Sequence, residues 1–416
     1  MCGLRRRLAR WSALIAVFVA AVPLASAAAR RTADPPFDGF ERLLVATDRP
    51  GEDKRVARSV ESVGGRPVRL LRGPGVLAVQ VPRSTAPALS RRLERTRGIR
   101  FVERNRFVMR TTEVHLPEWV PTDPLWPHQW GAKQIGAPAV WALTRGSPKI
   151  VVATVDTGVD PTQPDLQGAL VRGYNTVDGT DDPEDDNGHG TRTAGIVGAR
   201  ANNGIGISGV CPRCSIMPVK VAGENGSSSA LDFASGITWA TDHGAAVISL
   251  SLGGGPSETV AAAIRYAQQK GVLVIAAAGN NRSSQPFYPA ADAGVLSVAG
   301  TDPDGHLYGW SDYGNWVAVA APGCDTTTLT GDGYGRFCGT SASAPIVAGL
   351  AGLALSYSPK SSAERIERAI ISSAHPLDGV AAGSVHAIGT LAALGAKFER
   401  CSGRECLRPA GRSGPR

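Results

Sequence analysis

Apolar positions fall into two regimes along the chain. Between residues 37 and 110 the apolar runs are short. Arg42-Leu43-Leu44-Val45-Ala46 reads as a strand, and residues 52–63 read as a helix closed by Gly64-Gly65. Residues 67–71 and 76–81 read as two strands around a Gly-Pro-Gly turn, 84–95 as a second helix and 99–109 as a final strand region. That order, β-α-β-β-α-β, is the one of a ferredoxin-like α+β domain. Beyond Trp119 the runs become longer and unbroken: strands at 149–154, 216–221, 246–250, 272–277 and 295–299, with helices at 230–243 and 257–270. Apolar strands alternating with helices imply an α/β architecture, a doubly wound parallel sheet covered on both faces. Functional groups in such sheets gather at the carboxyl ends of strands, where Asp156, Ser251 and Asn280 fall.

Charge divides the chain along the same lines. The 416 residues carry 44 Lys and Arg against 36 Asp and Glu, a net +8. Such a balance usually points to a polyanionic partner. Its distribution argues otherwise. Residues 1–29 contribute +4, and residues 30–112, with 19 basic and 9 acidic side chains, contribute +10. Residues 113–416 hold 21 basic and 27 acidic side chains, a net −6. The aromatic residues that an RNA-binding sheet uses for stacking are scarce in the basic segment (Phe37, Phe40, Phe101 and Phe107). Nucleic-acid binding is therefore not expected.

Residues 1–29 have the layout of a secretory signal: Arg5, Arg6, Arg7 and Arg10, an apolar run over 13–24, then Ala25-Ser26-Ala27. The run contains Pro23 and falls short of the roughly 20 residues that span a bilayer. The expectation is a secreted, extracellular product without a membrane anchor. Cysteine usage agrees. Six Cys follow the signal, an even number suited to disulfides, although six allow 15 connectivities. Proximity pairs Cys211 with Cys214, Cys324 with Cys338 and Cys401 with Cys406. The Cys-x-x-Cys pair is also a redox or half-zinc pattern, but here it lacks a second pair or nearby histidines.

Three segments carry chemistry. Asp156 follows a buried strand in Asp156-Thr157-Gly158. His189 lies in Asn187-Gly188-His189-Gly190-Thr191, where the glycines leave the imidazole accessible. Ser341, in Gly339-Thr340-Ser341-Ala342-Ser343-Ala344-Pro345, opens an apolar helix running to about Tyr357. Each alone is weak: an Asp after a strand is common, a lone His is usually structural, and a Ser there is usually a cap. A helix start is also where free amides stabilise an oxyanion. Together, in the order Asp…His…Ser, they make a nucleophile, a base and an orienting carboxylate.

With Leu250-Ser251-Leu252-Gly253-Gly254 and Ala276-Ala277-Ala278-Gly279-Asn280, these segments resemble the subtilase family of serine proteases, and its secreted bacterial, thermitase-like members, over about residues 121–393. The resemblance implies a subtilisin-like fold with Ser341 as nucleophile, His189 as general base and then acid, Asp156 as orienting carboxylate and Asn280 as oxyanion donor. It implies substrate binding at Ser251, Leu252, Gly253 and Gly279, opposed by Gly226 and Ser227. Phe287 falls near the family's primary specificity pocket, where its ring is expected to narrow the pocket or only to pack. It also implies an autoprocessed proenzyme: signal 1–29, inhibitory and chaperone-like propeptide 30–112, catalytic domain 113–396 and a basic Gly/Pro/Arg-rich tail 397–416. Self-cleavage would fall between Arg110 and Trp119. The partners implied are polypeptide substrates and the propeptide itself, the mature enzyme being a monomer.

Structural Ca2+ is implied as well. By resemblance the ligands are the side chains of Asp123, Asp165 and Asn203 and the carbonyls of Ala201, Ile205 and Ile207. The acidic run 178–186, with Asp178, Asp182 and Glu184, resembles a second calcium loop; an acid run is also commonly a solvated face. One departure stands out. The family usually has a second His three residues after the catalytic one, and this chain has Arg192. Two alternatives remain: a protease dedicated to one target, and a non-catalytic binding protein on the same scaffold.

Overall fold

A computed structural model describes residues 40–48, 52–71, 75–104 and 118–398. The chain divides into two compact units, Met1–Thr112 and Glu113–Arg416. The signal segment, the stretch 105–117 with most of the expected cleavage region, and Cys401 and Cys406 lie outside the described residues.

The first unit has strands β1 (Phe40–Thr47), β2 (Arg66–Leu71), β3 (Val76–Pro82) and β4 (Ile99–Arg104), with helices α1 (Glu52–Glu61) and α2 (Ala86–Glu94). The strands form one antiparallel sheet ordered β2-β3-β1-β4. Leu43, Val45, Leu77, Val79 and Val81 bury against Val56, Val60, Leu89 and Leu93 of the two helices. Alternation turns other apolar side chains to the opposite face: Phe40, Leu71 and Phe101 are each about 40% exposed.

The second unit begins with two short helices, α3 (Gly131–Gln134) and α4 (Ala137–Trp141), and then enters the sheet. Its strands are β5 (Val151–Asp156), β6 (Tyr174–Asn175), β7 (Ser215–Lys220), β8 (Val247–Leu250), β9 (Leu273–Ala277), β10 (Leu296–Thr301), β11 (Val319–Pro322) and, after a β12 (Cys324–Thr328) and β13 (Tyr334–Cys338) hairpin, β14 (Gly383–Ser384). The sheet has eight strands ordered β14-β11-β10-β9-β8-β5-β7-β6, and every pairing in it is parallel. The helices are α5 (His189–Gly198), α6 (Ala230–Asp242), α7 (Glu258–Gln269), α8 (Thr340–Tyr357), α9 (Ala363–Ser372) and α10 (Ala387–Ala393). One core forms between the sheet and α5, α8 and α9, and a second between the sheet and α6 and α7. Two-sided cover explains the unbroken apolar strands. It also explains α8, which is long and apolar enough to cross a bilayer yet lies 89% buried as a core helix.

Sequence and structure agree closely for the covered strands and for α6 and α7, whose starts are set by the side chains of Ser229 and Ser257 accepting backbone N–H groups. β5 is the topological switch: the chain moves to β7 on one side and to β8 and β9 on the other. A crevice therefore opens at its carboxyl end.

Candidate active site

β5 ends on Asp156, a carboxylate only 1% exposed. Its Oδ1 accepts the Thr157 N–H at 2.8 Å and faces His189 Nδ1 at 2.7 Å. The Thr193 hydroxyl reaches Oδ2 at 3.5 Å. A buried charge needs such partners to be tolerable. His189 sits at the first position of α5 rather than in an open loop. Gly188 before it has φ 95°, a left-handed conformation that glycine adopts without strain.

The turn into α5 is organised by Asp185, which sequence reasoning had grouped with the acidic run. Asp185 is buried and accepts the hydroxyls of Thr157 (2.8 Å) and Thr191 (2.6 Å) and the backbone N–H groups of Asn187, Gly188 and Thr191. Lys220, 4% exposed at the end of β7, reaches Asp186 at 2.6 Å and the carbonyls of Thr157 and Ala222. The ends of β5 and β7 and the start of α5 are thus tied together by buried polar contacts.

Burial disfavours the His189 imidazolium, but Asp156, by its charge and its hydrogen bond, and Asp185 outweigh that, and the pKa is raised above the ordinary 6.5. Arg192 opposes the rise. Its guanidinium lies 6.0 Å from the Phe337 ring centroid, and Phe337 meets the His189 ring edge-on at 5.3 Å. A base works only when neutral, so activity should fall on the acid side with an apparent pKa above 6.5. Arg192→Ala removes a lowering influence and should move that limb to higher pH. A pH profile of kcat/KM for both proteins checks this, and an unmoved or downward-shifted limb contradicts it.

Ser341 is the second residue of α8, within the first turn, where amides have no intrahelical acceptor. Its hydroxyl donates to the Ser251 carbonyl at 3.1 Å, and the Ser251 hydroxyl donates to the Ser341 carbonyl at 3.2 Å. Asn280 follows β9. Its Oδ1 accepts both the N–H (2.8 Å) and the hydroxyl (3.1 Å) of Thr340, which fixes the amide with Nδ2 as the uncommitted donor. The next turn is pinned by buried Asp312, which accepts the N–H groups of Asn281 and Ser283 at 2.8 Å. Thr340 carries no sequence signal beyond its place in the 339–345 motif and Asp312 none, because their partners are distant in the chain.

Four of the candidate substrate residues line one cavity, while Ser251, Gly279 and Phe287 lie outside its lining. Gly226, Ser227, Leu252 and Gly253 line a cavity of 410 Å3 with Phe233 and Tyr288. Gly254 exchanges backbone hydrogen bonds with Tyr288 (2.7 and 3.0 Å), which anchors the 251–254 segment. Phe287 packs against this segment and Gly279: a β-carbon on Gly253 would lie 2.5 Å from its Cε1, and one on Gly279 3.2 Å from its Cδ1. Disulfides join Cys211 to Cys214 and Cys324 to Cys338. The second closes the hairpin that carries Phe337.

The two expected calcium sites differ. Asp165 is fully buried and Asp123 is 2% exposed. Asp165 bonds the Asn203 amide (2.8 Å) and the Ile207 N–H (2.8 Å), while Asp123 bonds the N–H groups of Asn202 and Asn203. Burial, with the charge of Asp123 adding to it, pushes the Asp165 carboxyl up to about 6. Neither carboxylate has an ion-pair partner among the described residues. Two enclosed carboxylates with an adjacent amide oxygen suit a hard divalent cation, so these residues fit calcium. The second loop is held by polar contacts of its own. Asp178 bonds the Asn175 side chain, Asp181 pairs with Arg172 at 3.0 Å, and Asp182 accepts the Glu184 N–H. Asp185 and Asp186 are committed as described above. Asp178, Asp182 and Glu184 belong to a segment folded by its own polar contacts. Among the described residues no group of three or more acidic, His or Cys side chains gathers at either loop.

Comparison with known proteins matches this arrangement. A family model described as the Subtilase family covers residues 147–394. The chain is 44% identical over 238 residues to the thermophilic serine proteinase of Bacillus sp. (strain AK1), spanning 56% of this chain and 59% of that protein. It is 42% identical over 264 residues to thermitase of Thermoactinomyces vulgaris, spanning 63% of this chain and 94% of the relative. A solved protease structure from Pseudoalteromonas arctica PAMC 21717 superposes with a TM-score of 0.62 at 30% identity, covering 66% of this chain and 99% of that one. The chain belongs to the subtilase family of serine proteases.

Proposed function

We propose that the protein is a secreted serine endopeptidase that cleaves polypeptides through an acyl-enzyme and matures by removing its own propeptide. The observation that carries this reading is the 2.7 Å contact of buried Asp156 with His189 at the carboxyl end of β5, with Ser341 hydrogen-bonded to Ser251 at the carboxyl end of the neighbouring β8. Asp156 holds the His189 Nδ1–H, leaving Nε2 free as a base. The Ser341 hydroxyl turns from the Ser251 carbonyl toward Nε2, gives up its proton and forms a C–O bond to the substrate carbonyl carbon. The resulting oxyanion takes hydrogen bonds from Asn280 Nδ2 and the Ser341 N–H. Collapse breaks the C–N bond, and the amine leaves with the proton from His189. Water then gives a proton to His189 and adds to the ester carbon; collapse breaks the C–O bond to Ser341, whose oxygen takes that proton back from His189. An extended substrate would pair along 251–253 as an added strand.

Two features support the proenzyme. The first unit's segment is basic and the second is acidic, so their fields are complementary. The exposed Phe40, Leu71 and Phe101, on the face of the small sheet turned away from its helices, also give it an apolar surface suited to a partner. Calcium, when bound by Asp123, Asp165 and Asn203, would supply the positive charge those enclosed carboxylates lack. Expression of Ser341→Ala tests the reading: wild type should be trimmed between residues 110 and 119, and the variant should persist as a proform. Equal trimming of both would remove Ser341 from its role.

A further inference from the structure

The consecutive residues 337–341 reach His189, Asn280 and the nucleophile. Phe337 meets the His189 ring edge-on at 5.3 Å, and the Thr340 N–H and hydroxyl hold Asn280 Oδ1. Ser341 follows directly. Cys338 lies inside this stretch and is bonded to Cys324. The two cysteines face each other where the β12–β13 hairpin closes, and just beyond them the Gly339 N–H donates to the Gly323 carbonyl at 2.8 Å.

The hairpin is anchored unevenly. On β12, the buried Asp325 carboxylate accepts the N–H groups of Trp130 (3.2 Å) and Gly131 (2.9 Å). The Thr327 and Thr328 hydroxyls donate to the carbonyls of Arg192 and Thr191, both at 2.7 Å, on the helix that His189 opens. β13 is more exposed, and among the described residues no side chain of 335–338 makes a hydrogen bond. Beyond the packing of the Phe337 ring, this end of β13 is held by the backbone ladder and the disulfide. Cys324 is 2% exposed, whereas Cys338 is open to solvent. The other described disulfide differs, with Cys211 and Cys214 both fully buried. Thiol–disulfide exchange needs access to a sulfur, so the two bonds differ in susceptibility.

We propose that the Cys324–Cys338 disulfide is a positioning element of the active site, holding Phe337 against His189 and residues 339–341 against Asn280, and that its reduction by an external dithiol converts the enzyme to a slower form. The inference rests on the protease reading above. A reagent thiolate attacks the Cys338 sulfur, the S–S bond breaks, and Cys324 leaves as a thiolate that takes up a proton. The second thiol of the reagent then attacks the mixed disulfide, closes its own S–S bond and releases Cys338 as a thiol. Two electrons and two protons pass from the dithiol to the protein. The cross-link no longer restricts residues 337–341, although the ladder remains. Neither cysteine takes part in the covalent steps of hydrolysis.

The test treats the mature wild type with dithiothreitol below its melting range. Thiol alkylation with peptide mass mapping locates the opened bond, and end-point labelling with a fluorophosphonate counts competent sites. With Cys324–Cys338 open, kcat per competent site should fall about 10- to 100-fold, the scale of an ångström-level misplacement. KM should stay nearly unchanged, and reoxidation should restore the rate. A merely structural bond would lower the number of competent sites and leave kcat per site as it was, and that result overturns the proposal. Full kcat with the bond open overturns it too, as does a bond that resists the dithiol in the folded enzyme. The double variant Cys324→Ala, Cys338→Ala should be slow without reductant and unresponsive to it. If that variant fails to mature, the wild-type measurement decides alone. A response that disappears in Cys401→Ala, Cys406→Ala belongs to another bond and overturns the proposal. Peptide hydrolysis that ignores reduction refutes only the positioning role, whereas no hydrolysis before reduction overturns the protease reading and this role with it.

Discussion

The His189→Ala variant is expected to lose about 10⁶-fold in kcat, because the triad acts as a unit and the nucleophile is inert without its base. The structure adds a specific reason. At rest the Ser341 hydroxyl donates to the Ser251 carbonyl, and that carbonyl cannot carry a proton away. Only His189 can draw the hydroxyl out of this bond and take its proton. The same substitution leaves the buried Asp156 carboxylate with the Thr157 N–H and a long contact to the Thr193 hydroxyl. A modest loss of thermal stability should accompany the loss of rate. Residual hydrolysis then reflects Asn280 and the groove alone. Single-turnover measurement on one peptide gives the comparison, and a loss below about tenfold would be incompatible with a triad mechanism.

Replacing Asp156 with alanine should cost about 10⁴-fold in kcat. The carboxylate holds the imidazole and stabilises the imidazolium formed as Ser341 gives up its proton. Removing it has a second, independent consequence. With the largest raising influence gone, burial depresses the His189 pKa, so the acid limb of the residual activity moves to lower pH. Arg192→Ala should move it the other way. The opposite signs of the two shifts separate an electrostatic role from general disruption of the site. Asp156→Asn divides the effect further. Oδ1 faces both the Thr157 N–H and His189, so an asparagine oxygen can keep that position while the charge is lost.

Much of this site was legible because its parts lie in contiguous segments. Asp156, Ser251 and Asn280 each follow an unbroken apolar strand, and the rule that function gathers at carboxyl ends located them without knowledge of strand order. The switch at β5 then brings them together. What the sequence withheld is mostly contact between distant segments. The placement of His189 at the start of α5 depends on Asp185, whose five hydrogen bonds reach Thr157 and Thr191 as well as its own turn. In the sequence Asp185 is one acid in a run, indistinguishable from Asp181, which only pairs with an exposed arginine. Charge density along a chain does not reveal which of its carboxylates organise a turn. Phe337 and Arg192 were equally hidden. Arg192 was visible as a departure from the family pattern, but its cation–π contact with Phe337 requires the β12–β13 hairpin, which strand patterning did not foresee.

The central claim is that Ser341 is the nucleophile of a working hydrolase. Its most direct test is stoichiometric treatment of the mature chain with a serine-directed fluorophosphonate, followed by peptide mass mapping. One adduct per chain on Ser341, formed in step with loss of peptide hydrolysis and blocked in His189→Ala, is the expected result. Hydrolysis that persists with Ser341 fully modified, or activity lost through an adduct on another residue, would contradict it.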